Sequence, residues 1–293
     1  MSALVGPPSP ITLPRLPVAA DDSPVAGTYD LASRELFSND AIATLLDDRY
    51  GLMRVHTAGP LPSDWADCDR SRLDGSQLLA AVLGQNLWIN VIDVGRRSPE
   101  LAALIASFEA TLARLAPIDE LRANLLISSP GACVQFHVDP EPNLLVQIRG
   151  RKRVRVYPAR DSRFCRPDQV AAICSGTVEE ELPFSTDFDE FARTFDLAPG
   201  DVLAWPQHAP HRVENLEGVN VTLSVSWYTP QIRRRMYAYA SHHHLRRTPL
   251  GHWLDQTSRL EPARVFAFRA ARRLGLLPHK PAAERPPAQV LEP

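Results

Sequence analysis

His137 and Asp139 stand two residues apart in CVQFHVD, a segment whose β-branched and aromatic residues predict a strand. Side chains at i and i+2 of a strand project from one face, so an imidazole and a carboxylate are presented side by side. Such a triplet is common by chance and acquires meaning only with a third group. His211 opens another strand-like segment, HRVENL, 72 residues beyond Asp139. Two imidazoles and one carboxylate on one face leave half of an octahedral metal's positions open, the facial set that suits non-haem iron. A closed zinc site asks for four protein ligands, and none of Cys68, Cys133, Cys165 and Cys174 lies in a C-x-x-C pair.

The elements that must position these residues are short strands. Between Asn124 and Thr229 run NLLISS, CVQFHVD, NLLVQIRG, RKRVRVYP, TFDLAPGDVLAWP, HRVENL and NVTLSVSWYT, separated by turn residues. Strands at this density predict a sandwich or barrel, and the lack of alternating helices excludes a Rossmann-like sheet. Upstream, Asn39–Asp48 reads as a helical piece and Gln85–Val94 as a strand. Ser98, Pro99 and Glu100 form a helix start, and Leu101, Leu104, Ile105, Phe108, Leu112 and Leu115 continue it at helical spacing to Ala116. The predicted division is a Pro-rich, disordered extension over 1–27, a helix-and-strand support region over 28–122, a catalytic barrel over 123–230, a basic helical region over 231–277 and a Pro-rich tail over 278–293. There is no phosphate-binding loop, no G-x-S-x-G elbow and no internal repeat.

Bulk properties narrow the class. The chain has 293 residues, 44% hydrophobic and 23% charged, which excludes a wholly disordered chain. Its net charge of −2 gives no global attraction for nucleic acid, and no apolar run is long enough for a membrane span. The opening residues MSALVGPPSPITLPRLP lack the basic and apolar regions of a secretory signal, and the unpaired cysteines fit a reducing, cytoplasmic setting. Charge is unevenly spread: residues 231–273 hold ten arginines against Asp255 and Glu261. This stretch is expected to be helical, closing one end of the barrel or mediating a homodimer. His208 is read as a loop residue, His242, His243 and His244 as a solvated helix turn, and Trp205 and Trp227 as core.

The stretch FHVDPEPNLLVQIRGRKRVRVYP, followed by PGDVLAWPQHAPHRV and VTLSVSWY, resembles the JmjC-type, cupin-like 2-oxoglutarate oxygenases. Within that group it is similar to the asparaginyl hydroxylase that acts on hypoxia-inducible factor and to small bacterial relatives. The matching positions are His137, Asp139, Asn143, Gln147, Gly150, Lys152, Pro199, Gly200, Asp201 and His211, in the family's order. The resemblance implies a mainly β fold, a double-stranded β-helix (jelly-roll) barrel with flanking N- and C-terminal helices. It implies Fe(II) on His137, Asp139 and His211, and 2-oxoglutarate and molecular oxygen as co-substrates. Lys152 would pair with the far carboxylate of 2-oxoglutarate, and Asn143 would assist beside the metal. Lys152, one strand and one turn past His137, is expected to return to the same pocket, while Arg149, Arg151, Arg153 and Arg155 face solvent. The chain departs from the family in carrying Val134 for a hydroxyl residue and Val225 for an asparagine. The implied reaction couples decarboxylation of 2-oxoglutarate to oxidation of a C–H bond, as hydroxylation or demethylation, on an unidentified protein side chain or small molecule. Two other readings stay open: a catalytically silent cupin-like binding module, and a metal-dependent cupin enzyme that does not use 2-oxoglutarate.

Overall fold

The computed structural model describes residues 11–19, 22–30, 35–47, 52–59, 61–245, 261–277 and 288–291. In chain order these form β1 (Ile11–Thr12), β2 (Val25–Tyr29), α1 (Asn39–Asp47), β3 (Met53–Thr57), β4 (Cys68–Asp69), α2 (Gly75–Gly84), β5 (Leu87–Val91), α3 (Pro99–Leu112), β6 (Glu120–Ser128), β7 (Cys133–His137) and β8 (Asn143–Val156). They continue with α4 (Pro167–Ser175), β9 (Arg193–Leu197), β10 (Asp201–Trp205), β11 (His211–Tyr228), α5 (Pro230–Leu245), α6 (Glu261–Arg273) and β12 (Gln289–Val290).

An antiparallel sheet runs β1-β2-β10-β8-β11-β6-β5-β3, with β9 paired to β8 and β7 paired to β11. Its two longest strands explain the architecture. The first part of β8, from Asn143, pairs with the last part of β11, to Ser226, inside the main sheet. The second part of β8, Lys152–Val156, pairs with His211–Asn215 and is flanked by β9 and β7. Both strands therefore pass from one sheet into a second, and the two sheets enclose a cavity. This is the jelly-roll expected from the sequence.

The passage between sheets occurs at an irregularity in the β8–β11 register between Gln147 and Lys152. Gly150 has φ of 72°, and a Cβ there would lie 2.7 Å from the Val219 carbonyl oxygen and 2.9 Å from Asn220. Only glycine tolerates both the left-handed backbone and this approach. Gln147 caps the irregularity: its Nε2 donates to the Asn220 side chain at 2.8 Å, and its Oε1 accepts from Thr222 Oγ1 at 2.8 Å.

On the sheet face away from the cavity, Leu144, Val146, Val221, Leu223, Val225 and Trp227 pack with Leu125 and Ile89. Helices cover this face through Ile42 and Leu46 of α1 and Leu104, Phe108 and Leu112 of α3. Ser98 caps α3 as anticipated, its Oγ accepting from the Leu101 N–H at 3.2 Å. The helix itself ends at Leu112, short of Ala116. In the basic region, Ile232 of α5 is fully buried, Arg233 bridges Asp119 and Glu120, and Tyr237 meets Phe268 of α6 with ring centroids 6.1 Å apart. No helix among the described residues is long and apolar enough to cross a membrane.

Three expectations are corrected. Disorder over 1–27 does not hold for its described part, where β1 pairs with β2, β2 pairs with β10, and Ile11, Leu13 and Leu16 are buried. Prolines spaced between apolar residues still allow an edge strand, where a missing N–H costs no ladder bond; residues 1–10, 20 and 21 lie outside the described residues. The Pro-rich tail, expected like the first 27 residues to be disordered or draped over the body, includes β12, parallel to β4, and the buried Leu291, while residues 278–287, 292 and 293 lie outside the described residues. NLLVQIRG and RKRVRVYP are one strand, as are HRVENL and NVTLSVSWYT, because the glycines that suggested turns sit in a bulge that bends the strands without reversing them.

Candidate metal centre and its cavity

His137 ends β7 and His211 opens β11, and the two pair directly across the second sheet. Asp139 follows β7 by two residues. The ligand-capable atoms of His137, Asp139 and His211 all lie within 4.8 Å of one another. His137 Nε2 is 3.7 Å from Asp139 Oδ1, and His211 Nε2 is 3.5 Å from Asp139 Oδ2. The imidazole centroids are 4.0 Å apart. Each ring is oriented from behind: His137 Nδ1 contacts the Gln135 carbonyl at 2.7 Å, and His211 Nδ1 contacts the Ala209 carbonyl at 3.0 Å. A carbonyl only accepts, so Nδ1 carries the proton and Nε2 turns a lone pair toward the cluster, the arrangement that sets imidazole as a metal ligand. Burial, and next the charge of His137, pushes the His211 pKa down to about 4, so this ring is neutral at pH 7.

Asn143, the first residue of β8, is buried and donates from Nδ2 to Asp139 Oδ2 at 3.1 Å. Its Oδ1 accepts from Ser224 Oγ at 3.1 Å. The structure thus puts Asn143 beside the carboxylate, where it orients Asp139. Ser224 and Ser226 line the cavity, whereas Val225 points into the helix-covered core. The polar positions of this strand are therefore kept by the serines on either side of the valine, which the sequence comparison alone did not reveal. Val134 does line the cavity and brings no hydroxyl.

The cavity has a volume of about 540 Å³. Lys152 lies in it, 3% exposed, on the strand opposite Asn215 and Leu197. It reaches the cavity on the same strand as Asn143, without the expected turn, because the irregularity at Gly150 changes which alternate residues face inward. Asn143 and Leu145 face the cavity before it, and Lys152 after it. Among the described residues no carboxylate pairs with Lys152, and burial alone pushes its pKa down to about 7. Its arginine neighbours face outward, Arg153 pairing with Asp196 at 2.6 Å and Arg155 with Glu214 at 3.2 Å. Arg149 donates to Asn39 at 2.8 Å.

The mouth has a different lining. His56 of β3 stands opposite Trp88 of β5, and Trp65 joins them with centroid separations of 5.6–5.9 Å. The segment carrying Trp65 is tied to the barrel through the Gly59 carbonyl, which accepts from Gln135 Nε2 at 2.8 Å and Trp65 Nε1 at 3.3 Å. Glu179, Glu180 and Glu181, after α4, also face the cavity. Partial desolvation, and next the charges of Asp139 and Glu141, push the Glu180 pKa up.

The remaining histidines and tryptophans sort as follows. His208 is in a loop and outside the cluster, as expected, but it is buried with φ of 64° and contacts Cys174 Sγ at 3.4 Å. His243 is not solvated: it is 3% exposed and bonded to Thr177 at 3.2 Å, because α5 packs this turn against α4. Trp227 and Trp205 are both core, as expected, and Trp205 also lines the cavity beside His211. The aromatic mouth residues went unnoticed in the sequence, since nothing in their spacing connects Trp65, Trp88 and His56 to the triad.

The family model described as a cupin-like domain matches residues 88–234. Lysine-specific demethylase 8 of Danio rerio is 31% identical over 115 residues, which cover 38% of this chain and 28% of that protein. HSPB1-associated protein 1 of Rattus norvegicus is 34% identical over 113 residues, 36% of this chain and 23% of that protein. The chain thus spans about a quarter of the length of these curated relatives. Among solved structures, Escherichia coli ycfD superposes with a TM-score of 0.50 at 19% identity, over 86% of this chain and 64% of that one, a likeness of fold.

Proposed function

The chain belongs to the cupin-like domain family, and from that premise we propose that it is an Fe(II)- and 2-oxoglutarate-dependent oxygenase. One observation carries the reading: a single cavity holds an open two-histidine, one-carboxylate set and a buried lysine that pairs with no carboxylate among the described residues. The donor set fits iron. Its imidazoles are locked with Nε2 forward by the Gln135 and Ala209 carbonyls, and three protein ligands leave room for a chelating co-substrate. Lys152 fits the far carboxylate, because a buried cation without a counter-charge is costly and a bound anion removes that cost.

His137 and His211 would each supply Nε2, and Asp139 one oxygen, while Asn143 Nδ2 holds the other oxygen in place. Lys152 would fix the far end of 2-oxoglutarate. Val134, Leu145 and Val213 make an apolar wall that limits water near the cluster. Iron, when bound, would supply the redox chemistry that couples molecular oxygen and 2-oxoglutarate decarboxylation to oxidation of a C–H bond. The substrate, a protein side chain or small molecule, would enter at the mouth formed by Trp65, Trp88 and Glu179–Glu181. The likeness to a lysine demethylase supports an oxidative reaction class. The free cysteines support a cytoplasmic setting.

The test is spectroscopic. Anaerobic addition of Fe(II) and 2-oxoglutarate is expected to give a visible charge-transfer band that neither gives alone. Iron-loaded protein without this band would favour the silent binding module.

A further inference from the structure

Helix α6 turns Val265 and Phe268 onto the body of the protein. There Phe268 meets Tyr237 and His244 of α5 with ring centroids 6.1 and 5.6 Å apart. The other face is exposed. Phe266 is 76% exposed, and Leu274 and Leu276, just past the last turn, are 73% and 71% exposed. Among the described residues these are the three most exposed large apolar side chains. Positions 266, 270 and 274 share the spacing that aligns side chains along a helix, and the Leu274 N–H still donates to the Ala270 carbonyl at 3.0 Å. With Arg269 and Arg273 they line one shallow hollow of about 380 Å³. A lone exposed leucine needs no explanation, but a contiguous apolar stripe does.

Charge on this face has one sign. Glu261 is the single acid of residues 261–277, against Arg264, Arg269, Arg272 and Arg273, and it is taken by Arg234 at 2.9 Å. Arg269 lies over the Tyr237 ring, 5.3 Å from its centroid, which holds the guanidinium beside the hollow without neutralising it. Among the described residues Arg269, Arg272 and Arg273 form no ion pair. Whatever covers this face must therefore be anionic and must also accept apolar side chains. A second copy meeting it symmetrically would bring both sets of arginines together with no acid to offset them. A specific protein partner asks for roughly 800 Å² on each side, whereas one face of this 13-residue helix, about 20 Å long and about 10 Å wide, offers roughly 200 Å². A bilayer surface sets no such threshold. Its head groups meet the arginines while the apolar side chains enter the acyl boundary.

We propose that the outer face of α6 docks the protein reversibly on an anionic membrane surface. Arg269, Arg272 and Arg273 lie among the lipid phosphates, and Phe266, Leu274 and Leu276 reach the acyl boundary. The chain's net charge is −2 despite its arginine-rich region, so the excess of acids lies elsewhere, and the field that draws α6 in turns the rest of the molecule away. The proposal is independent of the 2-oxoglutarate reading.

Co-sedimentation of the full chain with vesicles tests it. Vesicles of equal parts phosphatidylcholine and phosphatidylglycerol should carry the protein down, vesicles of phosphatidylcholine alone should not, and added salt should weaken the binding. Arg269→Gln combined with Arg273→Gln should weaken it roughly 25-fold, at about fivefold per arginine near the surface. Phe266→Ser combined with Leu274→Ser should weaken it at least ~10-fold at unchanged charge. All four positions are exposed, so both variants should keep the wild-type melting temperature. Failure to sediment with the mixed vesicles, equal sedimentation with both compositions, or binding that survives the serine pair overturns the proposal. Soluble polyglutamate should compete only weakly; binding as tight as to the vesicles would assign the face to an acidic protein instead. A wild-type dimer that the serine pair dissociates in analytical ultracentrifugation would assign it to a second copy.

Discussion

The deep end of the cavity is furnished by β7, β8, β10 and β11, which pair with one another, whereas the mouth draws on β3, β5, the Trp65–Asp67 segment and Glu179–Glu181. The two ends also differ in sign. Lys152 is the buried cation of the deep end, with its pKa pushed down to about 7 by desolvation. At the mouth, desolvation and the neighbouring carboxylates push Glu180 the other way. Opposite charges in one cavity do not cancel here, because among the described residues no carboxylate pairs with Lys152. A cation left unpaired so close to carboxylates indicates that an anion and a second, differently recognised group are meant to occupy the space together.

The sharpest way to break this contrast is at the cluster. Asp139→Ala removes its carboxylate and should abolish succinate formation from 2-oxoglutarate with iron present, a loss of at least ~100-fold. Succinate at the wild-type rate would remove the metal assignment. Next in size is Lys152→Met, which keeps length and discards charge. The apparent constant for 2-oxoglutarate should rise roughly ten- to several-hundred-fold, with iron affinity barely changed. The pH dependence carries a sign. A bound carboxylate raises the lysine pKa above its empty-cavity value of about 7, so binding takes up a proton above that pH. Affinity should be full below pH ~7 and fall about tenfold per unit above it, and the variant should lose this slope. Stability moves oppositely. An unfolded lysine titrates near ~10.4, so the folded state holds its proton less tightly and wild-type stability rises with pH from about 7 to ~10.4. Lys152→Met should therefore melt higher than wild type at pH 7 without ligand. The smallest effect belongs to the mouth: Trp65→Leu should leave 2-oxoglutarate affinity within about twofold, measured by calorimetry. A larger change would mean that the two ends are coupled.

How far the sequence could be read follows the same division. His137 closes β7, Asp139 follows it by two residues, and Asn143, Lys152 and His211 lie on β8 and β11, so residue types and the order of a family motif along the chain were enough to gather them, although alternation alone would have turned Lys152 outward. The strands' lengths were not legible, because Gly150 and Gly218 look like turn residues when their backbone angles are unknown. The same bend hid the fact that Ser224 and Ser226, and not residue 225, face inward. The mouth was least legible: His56, Trp65 and Trp88 come together through sheet pairing and a Gly59 contact that no local pattern encodes. β1 was hidden by its prolines, whose presence suggests disorder even when intervening isoleucine and leucine side chains are buried.

The irregularity around Gly150 has a consequence for how such a chain can change over time. Lys152 faces the cavity while Arg151 and Arg153 face away, and that choice depends on a bend of a few residues. Insertion or loss of a single residue between Gly150 and Lys152 would exchange the inward lysine for an outward arginine. Point substitution on the outer face is nearly free by comparison. The outer face of this bend can therefore vary widely in composition, but the length of the bend hardly at all.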